Sequence, residues 1–314
     1  MTILNTEPLS GVERLTYERS TVEPFTSSFG WRTVFNAVWP LVGWVATVAL
    51  VVTDRLPLAV GVVIAAIMLQ AFYMPVHESV HRTISAGRNQ WAWIDRVIGS
   101  FCAWMLHTSF VEHRHVHLLH HTHTNDQGDP DVLSAKGSPR DIGVRVALGA
   151  ILYPIVPILA VIPGGTRALP AGLRARLAAA GAYRSPAARR GAIVVAWSHI
   201  LLLIVAAFAG YGIEFLLLFY VASWLGRFWL SLVFGWLPHH PHEEVGRYRD
   251  TRVFTFRGSN CLIRGHDYHL LHHLFPRVPH YKLRSLWRQI GPHLAAQGAR
   301  IEGRAAHELG IDPQ

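Results

Sequence analysis

Histidines are concentrated in four short segments of this chain, which together hold fifteen of its twenty histidines. Three segments have paired spacings: HESVH at 77–81, HLLHH at 117–121 and HLLHH again at 269–273. On a helix, residues one turn apart share a face, so each pair can direct its imidazole rings at one point. Imidazole suits iron, zinc and copper, and eight such rings exceed what one ion binds. The spacing therefore predicts two metal ions held by histidine.

These histidine segments lie beside long apolar runs. The chain is 51% hydrophobic and only 16% charged, a composition typical of an integral membrane protein. In the fourth segment, WLPHHPHEE, three histidines follow an apolar run in the same way as His77 does: His239, His240 and His242. We therefore expect the metal ions at the edge of a membrane.

Four apolar segments are long enough to cross a bilayer, which takes about 20 helical residues. They are 31–52, 56–74, 191–209 and 213–237. Because short links at 53–55 and 210–212 join them in pairs, we predict an all-α membrane protein with four transmembrane helices in two hairpins. The predicted organisation is a cytoplasmic tail at 1–30, a membrane domain at 31–290 and a second tail at 291–314. Residues 1–30 lack an apolar core, so no cleavable signal peptide is expected there.

Two further apolar segments, 91–111 and 142–162, are interrupted by charged residues and by prolines, respectively. We predict that both form amphipathic or half-inserted helices at the cytoplasmic interface. If just one of them crossed the membrane, the histidines before and after it would lie on opposite sides. A shared metal site requires them on one side.

Basic residues indicate which side that is. The net charge of +9 comes almost wholly from arginine, and residues 164–190 alone carry six arginines. The positive-inside rule places both termini and the long loops in the cytoplasm. The arginine bias is typical of GC-rich bacterial genomes, so we expect a bacterial cytoplasmic membrane, with the basic charge facing anionic lipid and no nucleic acid as partner. Cys102 and Cys261 have no partner motif and predict neither a disulfide nor a thiolate metal site.

The motifs HESVH, HLLHH followed by TNDQGDPD, and HLLHHLFPRVP closely resemble the three histidine boxes of the membrane fatty acid desaturase superfamily. The resemblance covers about residues 31–287. It implies a histidine-rich cytoplasmic cap that holds two nonhaem iron ions and uses dioxygen to oxidise an unactivated C–H bond. It also implies a lipid acyl or isoprenoid substrate and a separate electron donor of the ferredoxin or cytochrome type.

By position, the resemblance implies nine iron ligands. Eight come from the boxes and the ninth is His239, for whose role His240 and His242 compete. The full set is His77, His81, His117, His120, His121, His239, His269, His272 and His273.

A second layer of residues is expected around these ligands. Three acids, Glu78, Asp129 and Asp267, are placed to accept hydrogen bonds from the ring nitrogens that do not bind metal, with surface exposure as the alternative. His113 and His266, upstream of the second and third boxes, are candidates for the same layer.

The sequence favours a fatty acyl desaturase that introduces a C=C bond, because TN after the second box and LFPRVP after the third resemble that branch. A carotenoid ketolase or hydroxylase is the rival within the superfamily, since WLPHHPHEE and the DPD tail resemble those enzymes. From another class comes a membrane metal transporter or metal-binding protein. Transporters place ligands near the bilayer midplane, whereas these boxes lie outside the apolar runs. A haem cytochrome is disfavoured because His199 is the only histidine well inside a span.

Overall fold

A computed structural model gives the protein a mainly helical fold, described for residues 10–311 except 157–158, 160–161, 163, 173 and 175–184. The helices are α1 Gly11–Thr26, α2 Trp31–Val52, α3 Leu58–Gln70, α4 Tyr73–Val80, α5 Ala92–Met105, α6 Phe110–His123, α7 Pro130–Ala135, α8 Pro139–Leu152, α9 Pro186–Phe208, α10 Gly212–Trp236, α11 Ser259–Leu262, α12 His269–Leu274, α13 His280–Ala296 and α14 Arg304–Glu308. Short 3-10 turns lie at Asn89–Trp91, Gly165–Ala168 and His266–Tyr268.

Four helices are long and apolar enough to cross a membrane: Trp31–Val52, Leu58–Val80, Pro186–Phe208 and Gly212–Trp236. They correspond to the four predicted segments. The second runs through α3 and α4 and so ends six residues beyond the predicted 74, which brings His77 into its last turn. The third begins earlier than predicted because the Ser185 hydroxyl accepts a hydrogen bond from the backbone N–H of Ala188 and caps the helix.

The spans present apolar side chains outward and pack closely on one another. Phe208 and Val42 are 90% and 63% exposed, which suits contact with lipid. Helix α3 packs against both α2 and α10. A Cβ on Gly226 of α10 would lie 3.1 Å from the backbone oxygen of Ala66 in α3, closer than ordinary van der Waals contact, so the glycine favours this close approach of the two helices.

The two segments predicted at the interface form short helices. Helix α5 covers much of 91–111 and α8 the first part of 142–162, while residues 157–158 and 160–161 lie outside the described part of the chain. Each helix has 14 residues, fewer than the roughly 20 needed to span a bilayer. Helix α8 begins at a capping box in which Ser138 and Asp141 bond each other's backbone N–H groups.

The fold also contains two short strands, so the prediction of an all-α protein was wrong in this detail. Strand β1, Val253–Thr255, pairs in parallel with β2, Ile301–Gly303. A Cβ on Gly303 would lie 2.2 Å from the Thr255 carbonyl oxygen, so the pairing requires glycine there. Helix α13 runs through the boundary predicted at 290, and α1 packs against it. Strand β1 and helix α13 both contact α12, the helix that carries the third histidine box. The division into domains stays a prediction.

Candidate metal centre

Nine histidines from four parts of the chain converge into two adjacent groups that could each hold a metal ion. The five-histidine cluster is His77, His81, His117, His121 and His272. The four-histidine cluster is His120, His239, His269 and His273. Within each cluster the nitrogens that could bind a metal ion all lie within 4.8 Å of one another. Together the two clusters contain all nine predicted ligands; that these bind iron stays a prediction.

Helical spacing decides which histidine joins which cluster. On α6, His117 and His121 are four residues apart and both belong to the five-histidine cluster, whereas His120 turns to the other one. Helix α12 does the reverse, since its His269 belongs to the four-histidine cluster and His272 to the five-histidine cluster. The prediction that the α6 residues aim at one point was therefore wrong. In each HLLHH box the two adjacent histidines belong to different clusters, so each box contributes ligands to both.

The nitrogen spacing fits metal coordination. In the five-histidine cluster the Nε2 atoms of His77 and His272 are 2.9 Å apart, as are those of His81 and His117. In the four-histidine cluster the Nε2 atoms of His239 and His269 are 3.0 Å apart. Two nitrogens that bind one ion at about 2.1 Å and at a right angle are about 3.0 Å from each other. The observed distances match this value in both clusters.

The environment keeps most of these rings neutral. Burial lowers the pKa of His117, His269, His272 and His273 well below the ordinary value, and the neighbouring histidines lower each further. Burial likewise lowers the pKa of His121 to about 2. At pH 7 these imidazoles therefore carry a free lone pair, which metal binding requires.

A cavity of about 250 Å³ touches both clusters. Its wall includes His117 from the five-histidine cluster together with His120 and His269 from the other. Leu230 and Phe234 of α10 also line it. A small space lined by both apolar and polar side chains therefore lies directly beside both candidate metal positions.

Comparison with known proteins identifies this arrangement. A profile described as fatty acid desaturase matches residues 54–304, a stretch that contains all nine histidines. The chain belongs to the fatty acid desaturase family. Among curated relatives, the sn-2 acyl-lipid omega-3 desaturase (ferredoxin) of Arabidopsis thaliana chloroplasts is 29% identical over 83 residues, 23% of this chain and 18% of that protein. A chloroplastic omega-3 fatty acid desaturase of Sesamum indicum is 31% identical over 102 residues, 28% of this chain and 23% of that protein.

One of the three predicted acids supports a histidine of this desaturase-family site. The carboxylate of Asp129, at the N-cap of α7, accepts a hydrogen bond from Nδ1 of His120 at 2.9 Å. Burial lowers the pKa of His120, but the carboxylates of Asp131 and Asp129 outweigh burial and leave it raised. Since Nδ1 faces Asp129, Nε2 is the nitrogen that His120 turns toward the four-histidine cluster.

The other two acids contact different partners, so their predicted role was wrong. Glu78 accepts hydrogen bonds from the Thr83 hydroxyl at 2.5 Å and from the backbone N–H of His280 at 3.1 Å. Asp267 accepts a hydrogen bond from Ser259 at 2.7 Å. Glu78 lies inside the first box, directly after His77, but on its helix it points away from the cluster, toward α13. Both acids thus fix the elements that carry the boxes.

The remaining predicted histidines border the clusters. His266 lies beside the five-histidine cluster, with its Nε2 3.4 Å from that of His77. The ring of His113 stacks on His117 at a centroid distance of 5.8 Å. Burial, and then the charge of Arg227, lower the pKa of His113 to about 4. His113 and His266 therefore lie directly beside the clusters; that they support the ligands there stays a prediction.

Two residues that sequence reasoning missed connect the second box to neighbouring segments of the chain. Thr124 lies with its hydroxyl oxygen 3.2 Å from Nδ1 of His273, which links α6 to α12. The side-chain amide of Asn125 donates to the backbone oxygens of Glu244 and Asp250, at 2.8 and 2.6 Å. These bonds hold the loop after His239 against the second box. The available signal was the TN pair directly after HLLHHTH, which is polar where the helix ends.

We predict that Asp129→Asn lowers metal affinity or activity about 10- to 100-fold, the usual effect of losing a carboxylate behind a metal-binding histidine. The amide cannot hold the His120 ring as a negative carboxylate does. Metal titration of the purified protein measures the loss. Asp267→Asn, another buried acid but one bonded to Ser259, is the matched control and should change affinity little. Equal losses in both variants would contradict the role of Asp129.

Proposed function

We propose that this chain is a membrane oxidoreductase that uses two iron ions and dioxygen to introduce a C=C bond into a fatty acyl chain. One observation carries the proposal: a small cavity, lined in part by apolar side chains, borders two adjacent clusters built only from histidine. Family membership supplies the class of reaction. The matches cover less than a quarter of each curated relative, and the names of these relatives support an acyl lipid as the class of substrate.

Each cluster would hold one iron through its Nε2 atoms. When bound, the two irons together with dioxygen supply an oxidant strong enough to attack an unactivated C–H bond, which side chains alone cannot provide. The protein keeps most of the imidazoles neutral by burial and fixes the direction of His120 through Asp129. The outer histidines His113 and His266 and the hydroxyl of Thr124 limit how far the rings can turn.

The reaction balances with two electrons from outside the chain. Two neighbouring methylene groups each lose one hydrogen, the C=C bond forms, and dioxygen with two protons and two electrons becomes two molecules of water. A ferredoxin or cytochrome type of protein would donate the electrons. The printed name of the Arabidopsis thaliana relative includes ferredoxin, which supports this choice.

The cavity would receive the acyl chain from the bilayer. Leu230 and Phe234 lie on α10, one of the four helices long enough to span. The second of these sits in a π-helical stretch, Ser231–Trp236, and such stretches are frequent at functional sites because they widen a helix locally. Exclusion of water by these apolar walls would protect the reacting carbon. We place the site at the cytoplasmic face of a bacterial cytoplasmic membrane, because the arginine-rich segment 164–190 favours that side.

Lipid and pigment profiling tests the proposal. We expect a bacterial host that expresses the protein with a compatible electron donor to accumulate acyl chains with one additional double bond. A parallel carotenoid-producing host should show unchanged pigments. The control is His117→Ala, which removes a histidine that lines the cavity and belongs to a cluster, and it should give no new product.

Other outcomes would select the rivals. New keto or hydroxyl carotenoids with unchanged acyl chains would make the protein a carotenoid ketolase or hydroxylase of the same family. Unchanged lipids and pigments combined with altered cellular iron or zinc would favour a metal transporter or metal-binding protein.

A further inference from the structure

Arg227 is a cation within α10, a helix otherwise apolar enough to span a membrane. Its Nε and Nη2 donate to the backbone oxygen of Leu106 at 3.2 and 2.5 Å. The guanidinium lies 4.9 Å from the ring centroid of Trp224. Within the described part of the chain it forms no ion pair with a carboxylate. Glu112 of α6 interacts with it electrostatically only from beyond ion-pair distance. A cation at membrane depth is costly, so such residues commonly mark a substrate site.

Arg227 faces the cavity that borders both histidine clusters. His113 on α6 lines the same cavity. The Nε2 of His113 is buried and has no hydrogen-bond partner among the residues that the structure describes. A buried polar nitrogen without a partner costs free energy, which a ligand with a matching polar atom removes. The cavity wall thus combines the Arg227 cation with a histidine nitrogen that has no partner, beside the polar side chains of Tyr73, Thr108, Asp131 and Ser231.

We propose that Arg227 and His113 form an oxygen-binding subsite that holds a polar end of the substrate. This inference rests on the proposed function, because it takes the cavity as the place of reaction. A guanidinium only donates hydrogen bonds, so its partner must be an acceptor: a carboxylate, carbonyl or hydroxyl oxygen. The substrate is accordingly an oxygenated lipid, bound by its oxygen inside the protein.

The size of the cavity limits where oxidation occurs. Its volume of about 250 Å³ is below the roughly 300–1,000 Å³ of common ligand pockets. Arg227 and the cluster residues His117 and His269 share this one space. An oxygen held by Arg227 would therefore fix which carbon of the substrate faces the clusters. A hydrocarbon of the same length lacks this oxygen, so Arg227 would not fix which of its carbons faces the clusters.

Equilibrium dialysis of labelled decanoate, decanol and decane against purified protein at one detergent concentration tests the subsite. We expect decanoate, decanol or both to bind the wild-type protein more tightly than decane. In Arg227→Met the affinity for the preferred oxygenated ligand should fall about tenfold or more, while that for decane should not change. Whichever oxygenated ligand binds more tightly identifies the oxygen as charged or neutral.

Arg264→Met is the matched control. Arg264 also donates to a backbone oxygen, that of Ala71 at 3.2 Å, and lies over an aromatic ring, that of Trp39, but it does not line the cavity. It should retain the preference for oxygenated ligands. If Arg227→Met does not fold, His113→Phe keeps the ring shape, removes the nitrogen and should weaken the oxygenated ligand about fivefold.

Equal binding of all three ligands to the wild-type protein would overturn the proposal, and so would a preference that survives in Arg227→Met or, where that variant does not fold, in His113→Phe. The measurement needs neither bound iron nor turnover. If no desaturated product forms but the binding preference is intact, the proposed reaction is rejected and the subsite is kept. If desaturated product forms but the binding preference is absent, the subsite is rejected and the proposed reaction is kept.

Discussion

His269→Ala is expected to reduce bound metal from about two ions per chain to about one, and turnover by more than about 100-fold. The four-histidine cluster would keep three imidazoles, one fewer than the four ligands of a common closed site. His81→Ala removes a ligand from the five-histidine cluster, which would keep four. We therefore expect His81→Ala to retain close to two ions per chain while it loses turnover. Elemental analysis after anaerobic purification measures the iron, with little zinc expected.

The control for this prediction is His115→Ala, which removes an exposed histidine from α6, the helix that contributes to both clusters. It should retain both ions and full turnover. One zinc and no iron in the wild-type protein would reject a di-iron centre. Loss of both ions from His269→Ala and His81→Ala alike would show that the clusters form a single site instead of two.

The sequence predicted which histidines meet because their spacing is a local property. Pairs such as His269 and His273 are four residues apart, and the helical repeat alone places them together. The spans were predictable for a similar reason, since apolar length is readable without tertiary structure. The division of His120 from His121 was not predicted, because it depends on where α12 packs against α6.

Contacts between distant parts of the chain account for the other differences. Glu78 lies beside His77 in sequence, yet its partner His280 belongs to α13, far along the chain. Strand β1 pairs with β2, which also lies well beyond it in sequence, and segments of three residues carry little periodicity of their own. Arg227 did have a visible signal, a charge within an apolar run, but its place in the cavity wall emerged only from the packing of α10.

His239 is the only member of the two clusters outside the paired boxes, so its role as a ligand depends on its position alone. Its Nε2 lies 3.0 Å from that of His269, and it is buried at the end of α10. The ring of His240 instead packs on Trp236, at a centroid distance of 4.7 Å. His242 is buried and stacks on His239 at 5.8 Å, outside both clusters.

We expect His239→Ala to lose about one ion per chain and nearly all turnover, since an open ligand position cannot be filled by the surrounding groups. His240→Ala should keep most of both, because its ring faces away from the clusters. His242→Ala should fall between them, since it supports the His239 ring without reaching the four-histidine cluster. Iron content and turnover of the three variants, purified side by side, measure this order. Full iron and turnover in His239→Ala, together with their loss in His242→Ala, would assign the ninth ligand to His242.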